Sequence, residues 1–467
     1  MKKIVIIGAG IAGLRVAKYL VDSGYDVTIL EKTKNIGGVS GSFNYKEFIL
    51  DYGPHKFYTQ LKGVQEDFEK IVGRGNFLKV KKRNSIRLLG KYFDFPVKIV
   101  QLLFGINPFL ATKIMLDLIK AKLDKRYAGK LSKNYEEYFI KGFGRTGYSI
   151  LFKGFAEKVW GNPENLSEEL ARKRSPASSI FDVLKTAIIK NEKNVNAEYF
   201  YYPKKGFGEI CNNLAKDIKS KGAKIITEAS LKKINIKNKK VDSIEFIHKN
   251  KNKKTVCNYL VSSIPIDSLP TFLKPSPNSE VLNCAKQLKF RAVMICYVFL
   301  NKPRALKENW IFFPEKEFFF NRVAEQKTFS SIVAPKNKTF LTAEVTCDYG
   351  DPTFNLTERE LKERIVRDLE KAGLIKKEEV YDFFVLKARG AYPVYKIGYK
   401  NYLNKILDYL DSITNLYTIG RPGLFNYNNA DHSLDMARVT SDIIIKNKPS
   451  SDWKKAREYF DSYRIVD

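Results

Sequence analysis

KKIVIIGAGIAGLRVAKYLVDSGYDVTILEK, residues 2–32, is the stretch that decides the fold. A short apolar run leads to Gly8, Gly10 and Gly13, a helix pattern follows, and a second apolar run ends at Glu31. Strand, glycine turn, helix, strand and closing carboxylate in this order form the fingerprint of a dinucleotide-binding βαβ unit. In such a unit the first glycine permits a tight turn, the second admits a pyrophosphate beside the backbone, and the third lets helix and sheet pack closely. Glu31 is therefore expected to accept hydrogen bonds from an adenosine ribose.

A second cluster of small residues, directly after Glu31, narrows the cofactor to FAD. The stretch begins with Lys32, and its small residues are the pair Gly37 and Gly38 and then Ser40. An NAD-binding domain would continue here with its next βα unit, whereas a glycine cluster suits backbone that passes close to a second part of a longer cofactor. We therefore predict FAD, contacted by both clusters.

The patterns along the chain predict an α/β fold whose FAD-binding part is discontinuous. After the first unit the apolar spacing becomes helical, then alternates between strands and helices, and then changes to strand-like runs before a final βα pattern. The predicted divisions are a Rossmann-like FAD-binding domain of residues 1–95, 198–284 and 405–450, a helical insertion of residues 96–197, an α+β substrate domain with an antiparallel sheet of residues 285–404, and a tail of residues 451–467.

The composition predicts a globular, basic protein. The chain has 467 residues, and 82 Lys and Arg against 51 Asp and Glu give a net charge of +31. Such a charge fits nucleic acid, an anionic membrane surface or anionic small substrates. Because the excess is lysine spread along the chain and mixed with asparagine, we expect no nucleic-acid partner.

Targeting signals and cysteine spacing point to a cytoplasmic protein without a metal site. The first strand begins directly after Lys2 and Lys3 and is interrupted at once by the glycine turn, so no signal peptide is expected. No stretch reaches 18 uninterrupted apolar residues, so no membrane-spanning helix is expected. The five cysteines are scattered without paired ligand spacing, which predicts neither a metal site nor disulfides.

The strongly apolar segment of residues 99–123 allows two interpretations. Its helical spacing is interrupted by Lys113, Lys120 and Lys122. A helix lying on a membrane surface is one interpretation, which would make peripheral membrane contact part of the protein's function. A buried layer of the helical domain is the interpretation that we favour. The oligomeric state stays open.

Motifs further along the chain, taken with the opening fingerprint, resemble those of the UDP-galactopyranose mutases. That family lies within the wider superfamily of FAD proteins that includes protoporphyrinogen oxidase and the flavin amine oxidases. The motifs follow one another in the family's order and are Tyr52-Gly53-Pro54-His55-Lys56-Phe57-Tyr58-Thr59, residues 153–161 (KGFAEKVWG), residues 173–176 (KRSP), Phe320-Asn321-Arg322-Val323, Tyr392-Pro393, and Gly420-Arg421 through Tyr427.

The resemblance implies an isomerase that uses FAD in its reduced form. In that family the reduced flavin attacks the anomeric carbon of a UDP-hexose while UDP leaves, and the sugar interconverts between its pyranose and furanose forms. Carried over position by position, the resemblance places His55 beside the flavin and Gly420 and Arg421 on the flavin side. It places Trp160 in the wall of the nucleotide or sugar site, Arg322 in an ion pair with the diphosphate, and three tyrosines on the diphosphate, Tyr199, Tyr392 and Tyr427. The catalytic set that it implies is His55, Arg174, Arg322, Tyr392 and Tyr427.

Two positions depart from the family's pattern. The family has a further arginine four residues after the position of Arg174, where this chain has Ser178, and Arg172 and Lys173 are the candidate substitutes. Asp431 falls two residues later than the family's aspartate, and Asn429 occupies the ungapped position.

An alternative function is an FAD-dependent oxidoreductase of the protoporphyrinogen oxidase or amine oxidase type, acting on a glycan or lipid precursor. A flavin-bound scaffold without activity is disfavoured, because many polar groups converge on one site.

Overall fold

A computed structural model describes residues 2–97, 99–124, 132–174 and 198–465. The strands of these residues are β1 (Lys3–Ile7), β2 (Asp26–Leu30), β3 (Ser42–Tyr45), β4 (Phe48–Asp51), β5 (Phe77–Lys81), β6 (Asn84–Leu88), β7 (Lys91–Asp94), β8 (Tyr199–Pro203), β9 (Lys224–Ile226), β10 (Ala229–Lys237), β11 (Lys240–His248), β12 (Lys251–Val256), β13 (Tyr259–Ser262), β14 (Leu273–Lys274), β15 (Phe290–Leu300), β16 (Trp310–Phe312), β17 (Arg322–Ala324), β18 (Thr339–Cys347), β19 (Val380–Pro393) and β20 (Leu416–Thr418). The helices are α1 (Ile11–Asp22), α2 (Val64–Val72), α3 (Ile99–Gly105), α4 (Pro108–Leu123), α5 (Tyr135–Tyr148), α6 (Gly154–Val159), α7 (Glu168–Arg174), α8 (Glu209–Ser220), α9 (Ser279–Gln287), α10 (Glu358–Lys371), α11 (Tyr399–Asp411), α12 (Gly420–Gly423), α13 (Ala430–Ile445) and α14 (Ser450–Asp461).

A five-stranded parallel sheet forms the centre of the predicted FAD-binding part. Its strand order is β20-β13-β1-β2-β9, and every neighbouring pair is parallel. The strands come from widely separated segments of the chain, and the apolar residues of β1 and β2 are buried, as expected of a sheet with both faces covered. The predicted discontinuous Rossmann-like fold is thus confirmed.

Helix α1 packs closely on this sheet because of two glycines. A Cβ atom on Gly13 would lie 2.2 Å from the Gly8 carbonyl oxygen, and Gly8 has a φ of +101°. The Gly8 amide donates a hydrogen bond of 2.8 Å to the Leu30 carbonyl at the end of the neighbouring strand β2. The turn between β1 and α1 therefore lies at the carboxyl ends of the parallel strands, where open α/β sheets bind their ligands.

A seven-stranded, mostly antiparallel sheet forms the predicted substrate part. Its order is β19-β15-β18-β17-β16-β6-β7, with one parallel pair between β16 and β6. Strands β6 and β7 precede residue 95, so they lie on the FAD-binding side of the predicted boundary but belong to this sheet. The predicted boundary differs from the observed sheet because β6 joins the sheet by pairing with β16, with Asn84 opposite Trp310. Such a long-range pairing leaves no local pattern in the sequence.

The helical insertion buries one face of α4 and exposes the other. Ile114, Leu118 and Ala121 are buried, and Asp117 accepts hydrogen bonds from the Thr146 backbone amide at 3.2 Å and from the Thr146 hydroxyl of α5. The opposite face is apolar and exposed, so the favoured interpretation of residues 99–123 as a buried layer is wrong for that face. No helix in the described ranges combines the length and the apolar character needed to cross a bilayer.

Candidate active site

A cavity of about 420 Å³ lies between the parallel sheet and the seven-stranded sheet. Turns of the parallel sheet contribute Gly8, Gly10 and Glu31, and the seven-stranded sheet contributes Arg322 and Tyr392. The residues around the start of α13, Asn429, Ala430 and Ser433, also line it, so the amino end of that helix faces the cavity. The two predicted parts of the protein thus share one site.

The two glycine clusters meet in this cavity and leave room for a cofactor. Gly10 and Gly37 form a parallel β-bridge, and the Gly37 amide donates a hydrogen bond of 2.8 Å to the Ala9 carbonyl. A Cβ atom built on Gly10 would meet no protein atom within 4 Å. The backbone at Gly10 therefore borders open space at the amino end of α1, which is the environment that a pyrophosphate requires. The residues present fit FAD.

Glu31 lies at the carboxyl end of β2 and lines the same cavity. One carboxylate oxygen accepts a hydrogen bond of 2.8 Å from the Ala9 amide, and the other accepts hydrogen bonds from the amide and the hydroxyl of Thr33 at 2.8 and 2.7 Å. These bonds hold the carboxylate beside the glycine turn. Each carboxylate oxygen has more than one acceptor position, so the group retains capacity for a ribose hydroxyl.

His55 is held as a neutral imidazole in the wall of the cavity. Its Nδ1 lies 2.9 Å from the Gly53 carbonyl oxygen, and its ring stacks on Phe207 at a centroid distance of 5.1 Å. Because a carbonyl only accepts, Nδ1 carries the proton in this pair. Burial, together with the positive charges of Arg322 and Arg421, lowers the pKa of His55 to about 4. At neutral pH the ring therefore presents an uncharged edge.

A buried aspartate anchors the segment that carries His55. Asp51 accepts hydrogen bonds from the Ser42 hydroxyl and the Tyr202 hydroxyl at 2.5 Å each and from the Phe207 amide at 3.0 Å. The Tyr297 hydroxyl donates to the Asp51 carbonyl at 2.5 Å. Burial raises the pKa of Asp51 to about 6, against the opposing effect of these hydrogen bonds. The carboxyl group thus ties the β3–β4 hairpin to the segment that contains Tyr202 and Phe207.

Arg322 and Glu344 form an ion pair on adjacent strands β17 and β18. Nε of Arg322 donates to Oε2 of Glu344 at 3.0 Å, and Nη2 donates to Oε1 at 2.8 Å. Sequence reasoning found Arg322 and missed Glu344. The available signal was a single carboxylate within the otherwise apolar and threonine-containing run of residues 340–346.

Aromatic and guanidinium groups form a second cluster in the cavity. The rings of Tyr392 and Tyr427 are parallel within 10° at a centroid distance of 5.9 Å. The Arg421 guanidinium lies 5.6 and 5.5 Å from these two ring centroids, and its Nε donates to the Asn428 carbonyl at 2.9 Å. Arg174, at the end of α7, lies 5.3 Å from the Tyr427 ring. Burial raises the pKa of Tyr392 to about 12, so its hydroxyl stays protonated and can donate a hydrogen bond.

Most of the predicted site residues line this one cavity. They are Gly8, Gly10, Glu31, Gly37, Gly38, Ser40, His55, Arg174, Arg322, Tyr392, Gly420, Arg421 and Tyr427. Two further predicted residues stand behind it. Gly13 serves the packing of α1, and Trp160 is buried with its Nε1 donating to the Tyr427 hydroxyl at 3.3 Å.

Two predictions need correction. The Tyr199 side chain is 38% exposed, does not line the cavity and packs against Lys79, because its strand β8 pairs with β5 away from the site. Lys32 is exposed and also lies outside the cavity lining, because the chain turns towards solvent after β2. Both positions were chosen by their place in the linear order, which does not report where a side chain points.

The departures from the family's pattern have different outcomes. Ser178 lies outside the described residues. Arg172 pairs with Glu168 and Lys173 lies 3.6 Å from Glu169, and neither of the two cations lines the cavity, whereas Arg174 does. Asn429 lines the cavity and Asp431 lies in a separate, smaller one, so the ungapped position is the one that faces the site.

The cavity also contains residues for which the sequence predicted no role. The Lys56 ammonium lies 5.7 Å from the ring centroid of Trp310, and both residues line the site. Phe95 and Phe312 stand beside them with ring centroids 4.6 Å apart. The pairing of β6 with β16 brings this wall into place. Its aromatic character makes that part of the cavity apolar.

Comparisons with known proteins agree with this architecture. A family model described as flavin containing amine oxidoreductase matches residues 11–426. The solved structure of reduced UDP-galactopyranose mutase superimposes with a TM-score of 0.84, covering 100% of this chain and 98% of that one at 20% sequence identity. At that identity the likeness establishes the fold.

Two curated relatives match parts of the sequence. A probable UDP-galactopyranose mutase of Klebsiella pneumoniae is 28% identical over 189 residues, which are 39% of this chain and 47% of that protein. A dTDP-fucopyranose mutase of Escherichia coli is 27% identical over 226 residues, 46% of this chain and 54% of that protein. The chain spans about half the length of the curated relatives it matches.

Proposed function

The chain belongs to the flavin containing amine oxidoreductase family, and from this premise we propose that it is an FAD-dependent nucleotide-sugar mutase. Its substrate would be a nucleoside-diphosphate hexose such as UDP-galactose, interconverted between pyranose and furanose forms with the flavin reduced. Support comes from the shared cavity, from the two mutases among its relatives and from the fold that it shares with reduced UDP-galactopyranose mutase.

The observation that carries the proposal is the placement of guanidinium groups and tyrosines in the flavin cavity. Arg174, Arg322 and Arg421 line it together with Tyr392 and Tyr427. Guanidinium groups bind phosphate oxygens through two parallel hydrogen bonds and keep their charge at every relevant pH. Glu344 balances the charge of Arg322, so the three guanidinium groups together bring more positive charge to this wall than that carboxylate offsets. Such a wall suits a diphosphate better than a cationic amine substrate.

Bound reduced flavin supplies a nucleophilic ring nitrogen for the anomeric carbon. The protein's own part is to bind the diphosphate and to keep water away. Arg322 is oriented by Glu344, and the stacked Tyr392 and Tyr427 carry hydroxyl groups that can donate to phosphate oxygens. Because His55 is neutral, it adds no further cation that would draw the diphosphate leaving group away from the arginines.

The direct test is turnover under reducing conditions. The FAD-loaded protein, reduced with dithionite, is incubated with UDP-galactofuranose, and the nucleotide sugars are separated by chromatography. We expect conversion to UDP-galactose with no net consumption of reductant, and none with the oxidised protein. A parallel incubation with dTDP-fucose tests whether the substrate is instead like the one named for the second relative, the dTDP-fucopyranose mutase. Reduced protein that converts neither nucleotide sugar would contradict the proposal.

A second candidate function is an FAD-dependent oxidoreductase acting on a glycan or lipid precursor. The observation that favours it is the apolar wall formed by Phe95, Phe312 and Trp310, which suits a hydrophobic substrate. It predicts bleaching of the oxidised flavin by substrate and reoxidation by oxygen. UDP titrated into the oxidised holoprotein separates the two functions, because only the mutase requires a diphosphate site.

A further inference from the structure

Helices α3 and α4 expose an apolar surface that is unlike the rest of the described molecule. Phe104 and Phe109 are 89% and 87% exposed, and Leu123 is 77% exposed. Elsewhere in the described residues no large apolar or aromatic side chain exceeds the 59% of Val256. We call this surface the α4 apolar face and define it as Phe104, Phe109, Met115, Leu116, Ile119 and Leu123.

The side chains of α4 are arranged around the helix as a stripe between lysines. At about 100° per residue, the order around the axis is Met115, Ile119, Thr112, Leu123, Leu116 and Phe109. Thr112 is the one polar member, and its hydroxyl donates to the Pro108 carbonyl at 3.0 Å. Lys122 comes next beyond Met115 on one side of the stripe. Lys120 and Lys113 come next beyond Phe109 on the other side, and all three lysines are exposed.

The single acidic residue of α4, Asp117, offsets part of this positive border: the Thr146 hydrogen bonds and the nearby charges of Lys120 and Lys113 lower the pKa of its carboxyl group. Asp117 lies on the partly buried side, where it accepts hydrogen bonds from Thr146 of α5. The exposed half of α4 carries apolar side chains, Thr112 and three lysines, so its border keeps an excess of positive charge over Asp117. Such a helix can sink its apolar stripe into the boundary of a lipid bilayer, while the lysine stems reach along the stripe and place their ammonium groups among the lipid head groups.

We propose that the α4 apolar face binds the surface of a membrane that contains anionic lipids. We choose an anionic membrane as the partner because the apolar stripe matches the acyl chains and its positive borders match the negatively charged head groups above them. Phe104, near the end of α3, and Phe109, at the start of α4, are the two most exposed side chains of the face. The helix lies on the surface and does not span it. The binding holds the enzyme at the membrane without changing its chemistry.

A second copy of the chain is the competing occupant, and charge disfavours it. Two copies packed stripe against stripe around a two-fold axis would place the lysine borders of one copy beside those of the other. Like charges at that distance repel, and each chain already carries +31. An anionic lipid surface meets the same lysines with opposite charge.

The experiment is vesicle co-sedimentation of the full-length FAD-loaded protein. We expect it to bind vesicles of equimolar phosphatidylglycerol and phosphatidylcholine, to release at high salt, and to bind pure phosphatidylcholine weakly. The variant L116S/I119S changes two exposed positions, and we expect its partition coefficient onto the vesicles to fall about tenfold for each side chain replaced. The variant K113Q/K120Q/K122Q is expected to lose about fivefold per lysine on the anionic vesicles, roughly a hundredfold in all.

Matched controls lie on strand β12, where Lys251, Lys253, Lys254 and Val256 are also exposed. The variant K251Q/K253Q/K254Q removes the same three charges, and V256S removes an exposed apolar side chain; neither is expected to change vesicle binding. Equal losses from the two lysine triples would overturn the proposal, because overall charge would then account for the binding. Absence of vesicle binding by the wild type would also overturn it, and so would an oligomer in analytical ultracentrifugation that L116S/I119S converts to monomer. None of these outcomes depends on which sugar the enzyme uses.

Discussion

The guanidinium of Arg322 and the carboxylate of Glu344 face each other across the paired strands β17 and β18, joined by hydrogen bonds of 3.0 and 2.8 Å. The Glu344 side chain is 4% exposed and that of Arg322 is 20% exposed. The carboxylate is therefore buried and depends on the arginine, while the arginine also borders the cavity. This relationship keeps a cation oriented at the wall of the site.

Replacing Arg322 by methionine is expected to reduce stability strongly. The substitution leaves the Glu344 carboxylate buried without its cation, which costs about 3 kcal/mol in the free energy of unfolding. The matched control is R359M, which breaks the ion pair between Arg359 and Glu363, whose side chains are 89% and 65% exposed, and should cost less than about 1 kcal/mol. Urea unfolding of both variants measures the difference. Equal losses would show that the pair at the cavity is no more important than the surface pair.

Gly10→Ala is expected to weaken FAD binding without unfolding the protein. A Cβ atom at Gly10 would meet no protein atom within 4 Å, so the added methyl group enters the space where a pyrophosphate would lie. We expect at least a tenfold rise in the dissociation constant of FAD, measured by fluorescence titration of the apoprotein. The control G147A adds a methyl group in α5, 3.4 Å from the Phe143 Cβ and away from the cavity, and should bind FAD normally. Unchanged FAD affinity in G10A would remove the glycine turn from the cofactor site.

Tyr427→Phe and Tyr199→Phe are expected to differ in their effect on UDP binding. The Tyr427 hydroxyl accepts from Trp160 and its ring stacks on Tyr392 in the cavity, whereas Tyr199 lies outside it. Loss of one hydrogen bond to the diphosphate costs about 1 kcal/mol, so Y427F should weaken UDP binding about fivefold. Calorimetric titration of the holoprotein measures this, and Y199F should match the wild type. The reverse order of the two variants would place the diphosphate elsewhere.

Asp51 is expected to make the protein less stable as the pH rises through 6. Burial raises the pKa of the folded carboxyl group from 3.8 to about 6, so the folded state holds the proton more tightly than the unfolded state. The stability that this proton contributes is fully present below pH 3.8 and is lost between there and about pH 6.

The wild type should therefore lose about 2 kcal/mol relative to D51N between about pH 4 and pH 7. In D51N the position does not titrate, and the amide can still accept hydrogen bonds from Ser42 and Phe207 and donate to Tyr202. Urea unfolding of both proteins at the two pH values gives the difference. A difference that stays constant, or grows in favour of the wild type as the pH rises, would contradict the assignment.

The cofactor turn could be predicted from sequence because its parts are local. Gly8, Gly10, Gly13 and Glu31 lie within one βαβ unit, and the chemistry of each follows from backbone geometry that a short segment sets by itself. Arg322, Tyr392 and Arg421 were found through a resemblance to a known family, which carries information about position that spacing alone does not.

Other residues of the site could not be found in this way, because long-range pairing brings them there. Glu344 faces Arg322 through the register of two strands, and Trp310 enters the wall because β16 pairs with β6. Tyr199 shows the converse, since the resemblance places it on the diphosphate and its strand turns it outward.

The sequence by itself determined the FAD fingerprint, the α/β class and the division into separated segments, because these depend on hydrophobic periods and glycine positions that act over a few residues. Only the tertiary structure decided that β6 and β7 join the substrate sheet, that Glu344 neutralises Arg322, and that one face of α4 stays uncovered. The physical reason is the same in each case. Burial and pairing between distant segments depend on which surfaces meet. The spacing of apolar residues along a helix is the same whether the helix packs on a protein core or on a lipid surface.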